Sequence, residues 1–357
     1  PNPLYVNKSV EELVRLGAIE VCESTGKEKL TALGKHLANL PLEARLGKLV
    51  LYGAAFGAAA TDAALTVAAA LTARNPFVAP LEEREAAAQA KKRMADKMIG
   101  GPIGLSDHLA VLAAYREWDQ MPRAGEQRYE FCRANFLSIK TLQGMSEMKR
   151  SLLETLSESG FVARGIRAND VAYIGRRHDC DGVRLALDRQ DSTVHGEGQN
   201  AESCPPALVA ALLCAALFPQ VATATLPHVS QPKSSKAKQN VAANGWGGAA
   251  KPKLMVKDAA TGQPTRVKIH PGSVSAYEDT LSSPYLLYQE LTSTTQLYVR
   301  DITPVPPLAL ALFGGPLAAD RQAGSDGTLI VDGWIKLAVA PHLRKPVLQM
   351  RQRLDAL

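Results

Sequence analysis

The stretch LTALGKHLANLPLEARLGKLVLYGAAFG, residues 30–57, decides how the N-terminal half of this chain folds. Thr31 can accept a hydrogen bond from the first turn of a helix, and Pro41 ends that helix. Apolar residues then recur at helical spacing and predict a second helix directly afterwards. The inward residues of the two helices are predicted to be Leu33, Leu37, Leu40, Leu46, Leu49, Val50 and Phe56.

The residues before this stretch predict a small unit of helix, strand, turn and helix. Ser9 and Glu12 have the spacing of a capping box, which places a helix start at Ser9, and Gly17 is a natural helix end. AIEV reads as a short strand, and the charged CESTGKEK that follows reads as a turn. This order of elements predicts a winged helix over residues 1–44.

The residues after the opening stretch predict an all-α bundle over residues 45–220. LEEREAAAQAKKRMAD, residues 81–96, reads as a charged and exposed helix. Ser106 caps the next helix, and residues 129–160 read as one long helix in which Gly144 can introduce a kink. Residues 164–204 turn polar and predict an irregular insertion with little regular structure.

The C-terminal third changes from helical to strand periodicity. Runs such as KLMVKDA, TRVKIHP and LIVDGWIKLAV are short and rich in Val, Ile and Thr, which predicts a small antiparallel β-barrel over residues 221–345. A Lys-, Gly- and Ser-rich insertion occupies about residues 230–253, and residues 346–357 predict a C-terminal helix. The fold class is therefore multidomain α+β.

Composition narrows the class of protein. The chain has 357 residues, 46% of them hydrophobic, which suits two or three domains with packed cores. Its net charge of +6 permits a polyanionic partner without requiring one. Five scattered cysteines without a CxxC pair argue against a zinc ribbon or a disulfide framework and indicate a reducing intracellular compartment, cytoplasmic, nuclear or mitochondrial. We expect no membrane partner, because no apolar run is long enough to span a bilayer.

Several motifs occur together in a characteristic order. They are KLTALGKHLANLPLEARLGKLVLYGAAFG, LTVAAALTARNPFVAP, RANFLS, VKIHPGSV, YLLYQELTSTTQLYVRDITPV and VDGWIKL. In this order they resemble the C-terminal region of DEAH/RHA-type (DExH) RNA helicases, and YLLYQE and DGWIKL are similar to the RNA helicase A-like branch. The resemblance covers nearly the whole chain apart from the two insertions. It implies a winged helix, a ratchet-like helical bundle and an OB-fold.

The resemblance also implies a function. The chain would be the RNA-binding accessory module of an ATP-dependent RNA helicase, holding single-stranded RNA for an upstream pair of RecA-like motor domains that bind ATP and Mg. The sequence itself contains neither a G-x-x-x-x-G-K-[ST] phosphate loop nor a DExH run, so we expect no cofactor and no ATPase activity in this chain alone. The alternative is a docking scaffold for a protein activator or ribonucleoprotein complex.

His270 lies between a strand pattern and a Pro-Gly-Ser turn. Neither a metal-ligand set nor an orienting group for catalysis accompanies it, so we assign no catalytic and no metal residues. His270 either ends a strand without a special role or, as the resemblance implies, lies with Lys268 and Ser273 on an RNA-facing rim of the barrel.

Two further segments supply candidates for RNA contact. In TTQLYVRD, residues 294–301, strand alternation places Tyr298 and Arg300 on one face. Tyr298 can stack on a base and Arg300 can bind phosphate, or both can belong to an ordinary solvent-exposed strand face. In RANFLS, Arg133 and Asn135 either form a solvated helix face or, as the resemblance implies, follow the RNA path.

Overall fold

The N-terminal unit consists of two helices and a β-hairpin. The computed structural model of the chain describes residues 3–22, 26–100, 103–195, 203–225, 252–258, 261–278, 280–319 and 328–355. Helix α1 (Pro3–Leu16) leads into the antiparallel strands β1 (Ile19–Val21) and β2 (Glu28–Leu30), and α2 (Ala32–Ala38) follows. The predicted charged turn therefore contains a strand that the sequence reading missed.

The helix ends of this unit test two cap predictions. The Oγ1 atom of Thr31 accepts a hydrogen bond from the Gly34 backbone N–H at 2.9 Å, which confirms it as the N-cap of α2. The predicted capping box at Ser9 and Glu12 was wrong, because Ser9 lies inside α1, which begins at Pro3. Gly17 does follow the end of α1, with a φ of +83° that favours glycine.

A bundle of nine helices among the described residues forms the middle of the chain. They are α3 (Ala44–Ala55), α4 (Ala58–Thr72), α5 (Arg84–Asp96), α6 (Asp107–Asp119), α7 (Gln127–Ala134), α8 (Ile139–Glu158), α9 (Ala168–Arg177), α10 (Val183–His195) and α11 (Pro206–Leu217). Helices α4 and α11 are buried along most of their length. Leu46, Leu49 and Val50 of α3 are buried as predicted, but Phe56 is 40% exposed at the end of that helix.

The predicted irregular insertion at residues 164–204 was wrong, because α9 and α10 occupy most of it. One of its polar residues, Asp181, has charged and polar partners inside the bundle. Asp181 is buried and accepts hydrogen bonds from Lys149 at 2.6 Å and from the Tyr115 hydroxyl at 2.8 Å. Lys149 also pairs with Asp62 at 2.8 Å. A polar composition therefore marked a buried ion-pair cluster, since buried charges are stable only when they are paired.

The predicted long helix over residues 129–160 is two helices, α7 and α8. Phe136 separates them with a φ of +53°, and Ser138 caps α8 by accepting from the Thr141 N–H at 3.3 Å. Helix α5 was predicted to be charged and exposed, which is correct for only part of its surface. One face of it is buried, and that face includes Lys91.

A closed five-stranded barrel follows the bundle. Its strands are β3 (Val221–Thr225), β4 (Lys253–Lys257), β5 (Pro264–Ile269), β6 (Tyr285–Ser293) and β7 (Leu297–Pro304), in the order β3-β4-β5-β7-β6. Neighbouring strands are antiparallel except β5 and β7, which are parallel. The prediction of a wholly antiparallel barrel was therefore wrong for this one pair. Most of the Lys-, Gly- and Ser-rich insertion lies outside the described residues.

The last elements pack back on the bundle. Helix α12 (Pro307–Phe313) is followed by the strands β8 (Leu317–Ala319), β9 (Thr328–Val331) and β10 (Ile335–Ala338) and by α13 (Pro341–Asp355). The run LIVDGWIKLAV was predicted to belong to the barrel, and this was wrong. It forms β9 and β10 of a separate three-stranded sheet. The C-terminal helix begins at Pro341, ahead of the predicted 346. One apolar core connects this sheet to the bundle and the winged helix.

Candidate nucleic-acid interface

The turn after β5 places His270 at the junction between the barrel and the bundle. The His270 N–H donates to the Val299 carbonyl at 3.0 Å, and its ring Nδ1 accepts from the Gly272 N–H at 3.0 Å. The Ser273 N–H donates to the His270 carbonyl at 2.9 Å. These three bonds hold the turn and determine the direction of the imidazole.

The carboxylate of Asp107, at the start of α6, joins this turn to the bundle. It accepts hydrogen bonds from the Ser273 hydroxyl at 2.5 Å, from the Val274 N–H at 3.0 Å and from the Ile302 N–H at 2.9 Å. Lys91 of α5 forms an ion pair with it at 2.6 Å and also donates to the Gly272 carbonyl at 3.1 Å. We call these residues the Asp107 clamp, because they hold β7 and the turn after β5 against α5 and α6.

The electrostatics of the clamp favour the ionised carboxylate. Burial by itself raises the pKa of Asp107, but the Lys91 ammonium and the hydrogen bonds from Ser273 and Ile302 lower it by more, so the pKa lies below its usual value. The neighbouring His108 is buried, with Nδ1 2.7 Å from the Thr303 hydroxyl.

Ser273 does not lie on the exposed rim where the sequence reading placed it. It is 7% exposed, and its hydroxyl donates to Asp107. The structure therefore corrects its position: Ser273 faces the bundle and connects it to the barrel.

Lys268, His270 and Tyr298 do come together, at the parallel pairing of β5 and β7. Lys268 is exposed and lies directly opposite Tyr298 in the register. The His270 and Tyr298 rings meet edge to face, with centroids 6.0 Å apart. Burial, and then the nearby Arg300 guanidinium, lower the pKa of His270, so the imidazole is neutral at pH 7.

Arg300 lies on the same strand as Tyr298, with its Nη1 atom 3.9 Å from Glu290 Oε2 on β6. The predicted strand face was too long, because residues 294–296 form the turn between β6 and β7. Asp301 follows with a φ of +49° and lies 4.0 Å from Lys91. At this edge of the barrel the Arg300 guanidinium therefore lies near the Glu290 carboxylate, and the Asp301 carboxylate lies near the Lys91 ammonium.

Arg133 and Asn135 lie on the bundle, at the C-terminal end of α7. The Arg133 side chain is exposed. Asn135 is half-buried, and its amide Nδ2 donates to the Phe131 carbonyl at 3.0 Å. Helix α7 packs against α6 and α8, so the structure does not place these two residues in the cluster at Lys268.

A groove of about 310 Å³ separates the bundle from the barrel. Its bundle wall is formed by α4, the segment up to Pro76 and the start of α6 with Asp107, and its barrel wall by Gln289, Glu290 and Asp301. The acidic side chains of the barrel wall disfavour a phosphate inside the groove, because like charges repel.

Sequence reasoning missed Asp107 and Lys91. The only local signal was the N-cap Ser106, which accepts from the Leu109 N–H at 3.1 Å and marks the helix start beside Asp107.

In the part of the chain that the structure describes, no cluster of three or more His, Cys, Asp or Glu side chains could hold a metal ion. Within the same residues, no helix has both the length and the apolar character that crossing a membrane requires.

Three family models match successive parts of the chain. The winged-helix part of the helicase-associated domain (HA2) matches residues 9–42, the ratchet-like part of that domain matches residues 43–137, and the oligonucleotide/oligosaccharide-binding (OB)-fold matches residues 209–317. Relatives that cover almost all of the chain are DExH-box helicases. The chain belongs to the DExH-box helicase family.

Three relatives of this DExH-box chain illustrate the match. The putative ATP-dependent RNA helicase DHX57 of Mus musculus is 37% identical over 336 residues, which are 93% of this chain and 22% of the relative. The DExH-box ATP-dependent RNA helicase DExH1 of Arabidopsis thaliana is 30% identical over 357 residues, 100% of this chain and 29% of the relative. The ATP-dependent DNA/RNA helicase DHX36 of Homo sapiens is 30% identical over 359 residues, with the same two shares. The chain thus spans less than a third of these relatives.

Proposed function

We propose that this chain holds single-stranded RNA for an ATP-dependent DExH-box RNA helicase and couples the strand to RecA-like motor domains. The observation that carries the proposal is the cluster at the β5–β7 edge. An exposed cation at Lys268 lies opposite the Tyr298 ring, and His270 and Arg300 lie beside it. Single-strand-binding barrels combine cations for phosphates with rings for bases in this way.

Lys268 is the best placed phosphate contact. Among the described residues it forms no ion pair, so its charge is available to a ligand. Arg300 has only the long contact with Glu290 and can turn towards a phosphate. The edge-to-face pair of His270 and Tyr298 leaves an aromatic surface on which a base can stack.

The Asp107 clamp supports the coupling part of the proposal. Single-stranded RNA bound at the barrel edge would contact a part of the barrel that is held to α5 and α6 by one carboxylate and four donors. A movement of the bundle is therefore transmitted through the barrel to the bound RNA. ATP and Mg belong to motor domains outside this chain, since the relatives are named as ATP-dependent helicases.

A salt titration of RNA binding tests the proposal. We expect Lys268→Ala to weaken binding of an oligouridine strand and to reduce the slope of log K against log salt by about 0.7, because one phosphate contact is lost. His270→Asn keeps an acceptor for the Gly272 N–H but removes the ring. It should weaken binding by about 1–3 kcal/mol, the value of a base-stacking contact, and leave the slope unchanged. Fluorescence anisotropy at several salt concentrations measures both.

The exposed Lys29 of β2 offers a matched control. Lys29→Ala removes the same charge from the winged helix and should not change binding. Unchanged affinity and slope in Lys268→Ala at low salt would exclude the β5–β7 edge from the RNA path.

A second candidate function is a docking site for a protein activator or ribonucleoprotein partner. It is favoured by apolar side chains that remain exposed on the winged helix, at Val14, Val21 and Leu30. Such a partner would bind with little dependence on salt, whereas RNA binding falls steeply as salt rises. The same salt titration therefore separates the two functions.

A further inference from the structure

A cleft of about 440 Å³ opens in the bundle between the C-terminal end of α6, the first turn of α7 and α8. This volume lies within the range of about 300–1,000 Å³ that is usual for small-molecule sites. The lining residues that bear on its chemistry are Trp118, Arg123, Arg128, Tyr129, Glu147 and Arg150. We call it the Arg128 cleft.

The cleft carries three guanidinium groups and one carboxylate. Among the described residues, Arg123, Arg128 and Arg150 form no ion pair with a carboxylate. Their protein partners are backbone carbonyls: Arg123 donates to Cys180 at 2.5 Å, and Arg150 reaches Asp181 at 3.5 Å. Neutral carbonyls orient these guanidinium groups, and the nearby carboxylates of Asp119 and Asp179 act on the Arg128 charge without forming an ion pair with it.

Arg128 is the most buried of the three, with 8% of its surface exposed. Its Nε and Nη2 atoms donate to the carbonyls of Met121, Asp119 and Asp179, while Nη1 has no partner among the described residues. Burial lowers the pKa of Arg128, Asp119 raises it, and the like charge of Arg123 lowers it again. Arg123 and Arg128 are therefore close enough to repel each other, and an anion between them would relieve that repulsion.

Two aromatic residues complete the cleft. The Arg128 guanidinium lies 4.6 Å from the centre of the Trp118 ring, and the Trp118 indole N–H is buried without an acceptor among the described residues. Tyr129, on the first turn of α7, is 61% exposed. The site thus combines guanidinium groups that form no ion pair among the described residues with an open aromatic ring beside them.

We propose that the Arg128 cleft binds one nucleotide unit, with the phosphate on the three guanidinium groups and the base against Tyr129. Arginine forks match phosphate oxygens, and an exposed ring beside them suits a base. Glu147 can accept from a ribose hydroxyl or an exocyclic amine, which a nucleotide carries together with its phosphate. This site does not depend on the barrel edge, because none of its lining residues belongs to the barrel.

The test uses the 357-residue chain with Trp246→Phe and Trp334→Phe, so that Trp118 is the sole tryptophan. We expect uridine monophosphate to change Trp118 fluorescence saturably. Arg150→Gln should raise the dissociation constant about tenfold, the value of one hydrogen bond to a charged group. Tyr129→Leu should raise it about fivefold or more through lost stacking. Arg164→Gln removes an exposed guanidinium outside the cleft and should have no effect.

A second arm distinguishes a free nucleotide from a strand. An oligouridine is titrated into the same background with Lys268→Ala and Arg300→Ala, so that binding at the barrel edge is removed. Saturable binding of uridine monophosphate or of oligouridine supports the site if Arg150→Gln weakens that binding. The probe that binds shows whether the phosphate comes from a free nucleotide or from an RNA strand. The proposal is overturned if no probe saturates, if a glutamate-rich peptide binds better than either probe, or if inorganic phosphate binds as well as the nucleotide and Tyr129→Leu has no effect.

Discussion

Asp107 connects two units of the molecule through a single buried carboxylate. All its contacts except the ion pair with Lys91 come from residues at least 166 positions further along the chain. Because the pKa of Asp107 is depressed in the folded protein, its contribution to stability is present at neutral pH and is lost as the pH falls through that folded value.

Replacing Asp107 by asparagine should therefore be costly. Asp107→Asn removes the close counter-ion of the buried Lys91, leaving only Asp301 at 4.0 Å, and turns an amide NH₂ towards backbone donors. We expect a loss of about 3–5 kcal/mol in the free energy of unfolding at pH 7, measured by urea titration.

Asp170→Asn, at an exposed position in the first turn of α9, makes the same chemical change and should cost less than about 1 kcal/mol. Adding Lys91→Met to Asp107→Asn should recover part of the loss, because the uncompensated charge is then removed. Equal stability of the Asp107 and Asp170 variants would contradict the clamp.

At the scale of the element, the break between α7 and α8 depends on a neighbouring segment. The Ser138 N–H donates to the Pro76 carbonyl at 2.8 Å, and the Val78 N–H donates to the Phe136 carbonyl at 2.8 Å. Residues 76–78 thus pair with the residues between the helices and stabilise the left-handed backbone at Phe136. The position of Arg133 and Asn135 at the end of α7 follows from this break.

The cap of α8 can be tested on its own. We expect Ser138→Ala to lower the free energy of unfolding by about 1 kcal/mol, because the Thr141 N–H loses its side-chain acceptor. Ser151→Ala makes the same substitution at an exposed position inside α8 and should be neutral or slightly stabilising. If both variants melt alike, Ser138 does not act as a cap.

At the scale of the whole molecule, the apolar core is continuous from the winged helix through the bundle to the C-terminal sheet. The barrel has a core of its own, but Val221 and Leu287 of the barrel also belong to the core of the bundle, and the Asp107 clamp adds polar contacts between the two units. The proposed function places strand binding in this chain and ATP binding in domains outside it.

A direct consequence concerns ATP hydrolysis. We expect the purified chain to bind single-stranded RNA but to show no RNA-stimulated release of phosphate from ATP, because its sequence has no phosphate loop and no DExH run. A coupled phosphate-release assay with and without oligouridine measures this. Turnover that rises with RNA in a homogeneous sample would overturn the assignment of ATP binding to other domains.

The sequence by itself determined the elements whose signals are local. Thr31 and Ser106 mark helix starts because an N-cap bonds within its own first turn, and the β5 and β7 patterns mark strands because side chains alternate every second residue. The ordered motifs were sufficient to recognise the family. They also selected Lys268, His270 and Tyr298, which the structure brings together at one edge.

Only the tertiary structure decided the rest. The parallel pairing of β5 with β7, the break at Phe136 and the burial of Ser273 all depend on partners distant in the sequence. Within the polar stretch at residues 164–204, Asp181 can be buried between α9 and α10 because it contacts Lys149 and Tyr115 inside the bundle. A polar side chain is stable in a core only when its partner is present, and the partner becomes known only once the chain has folded.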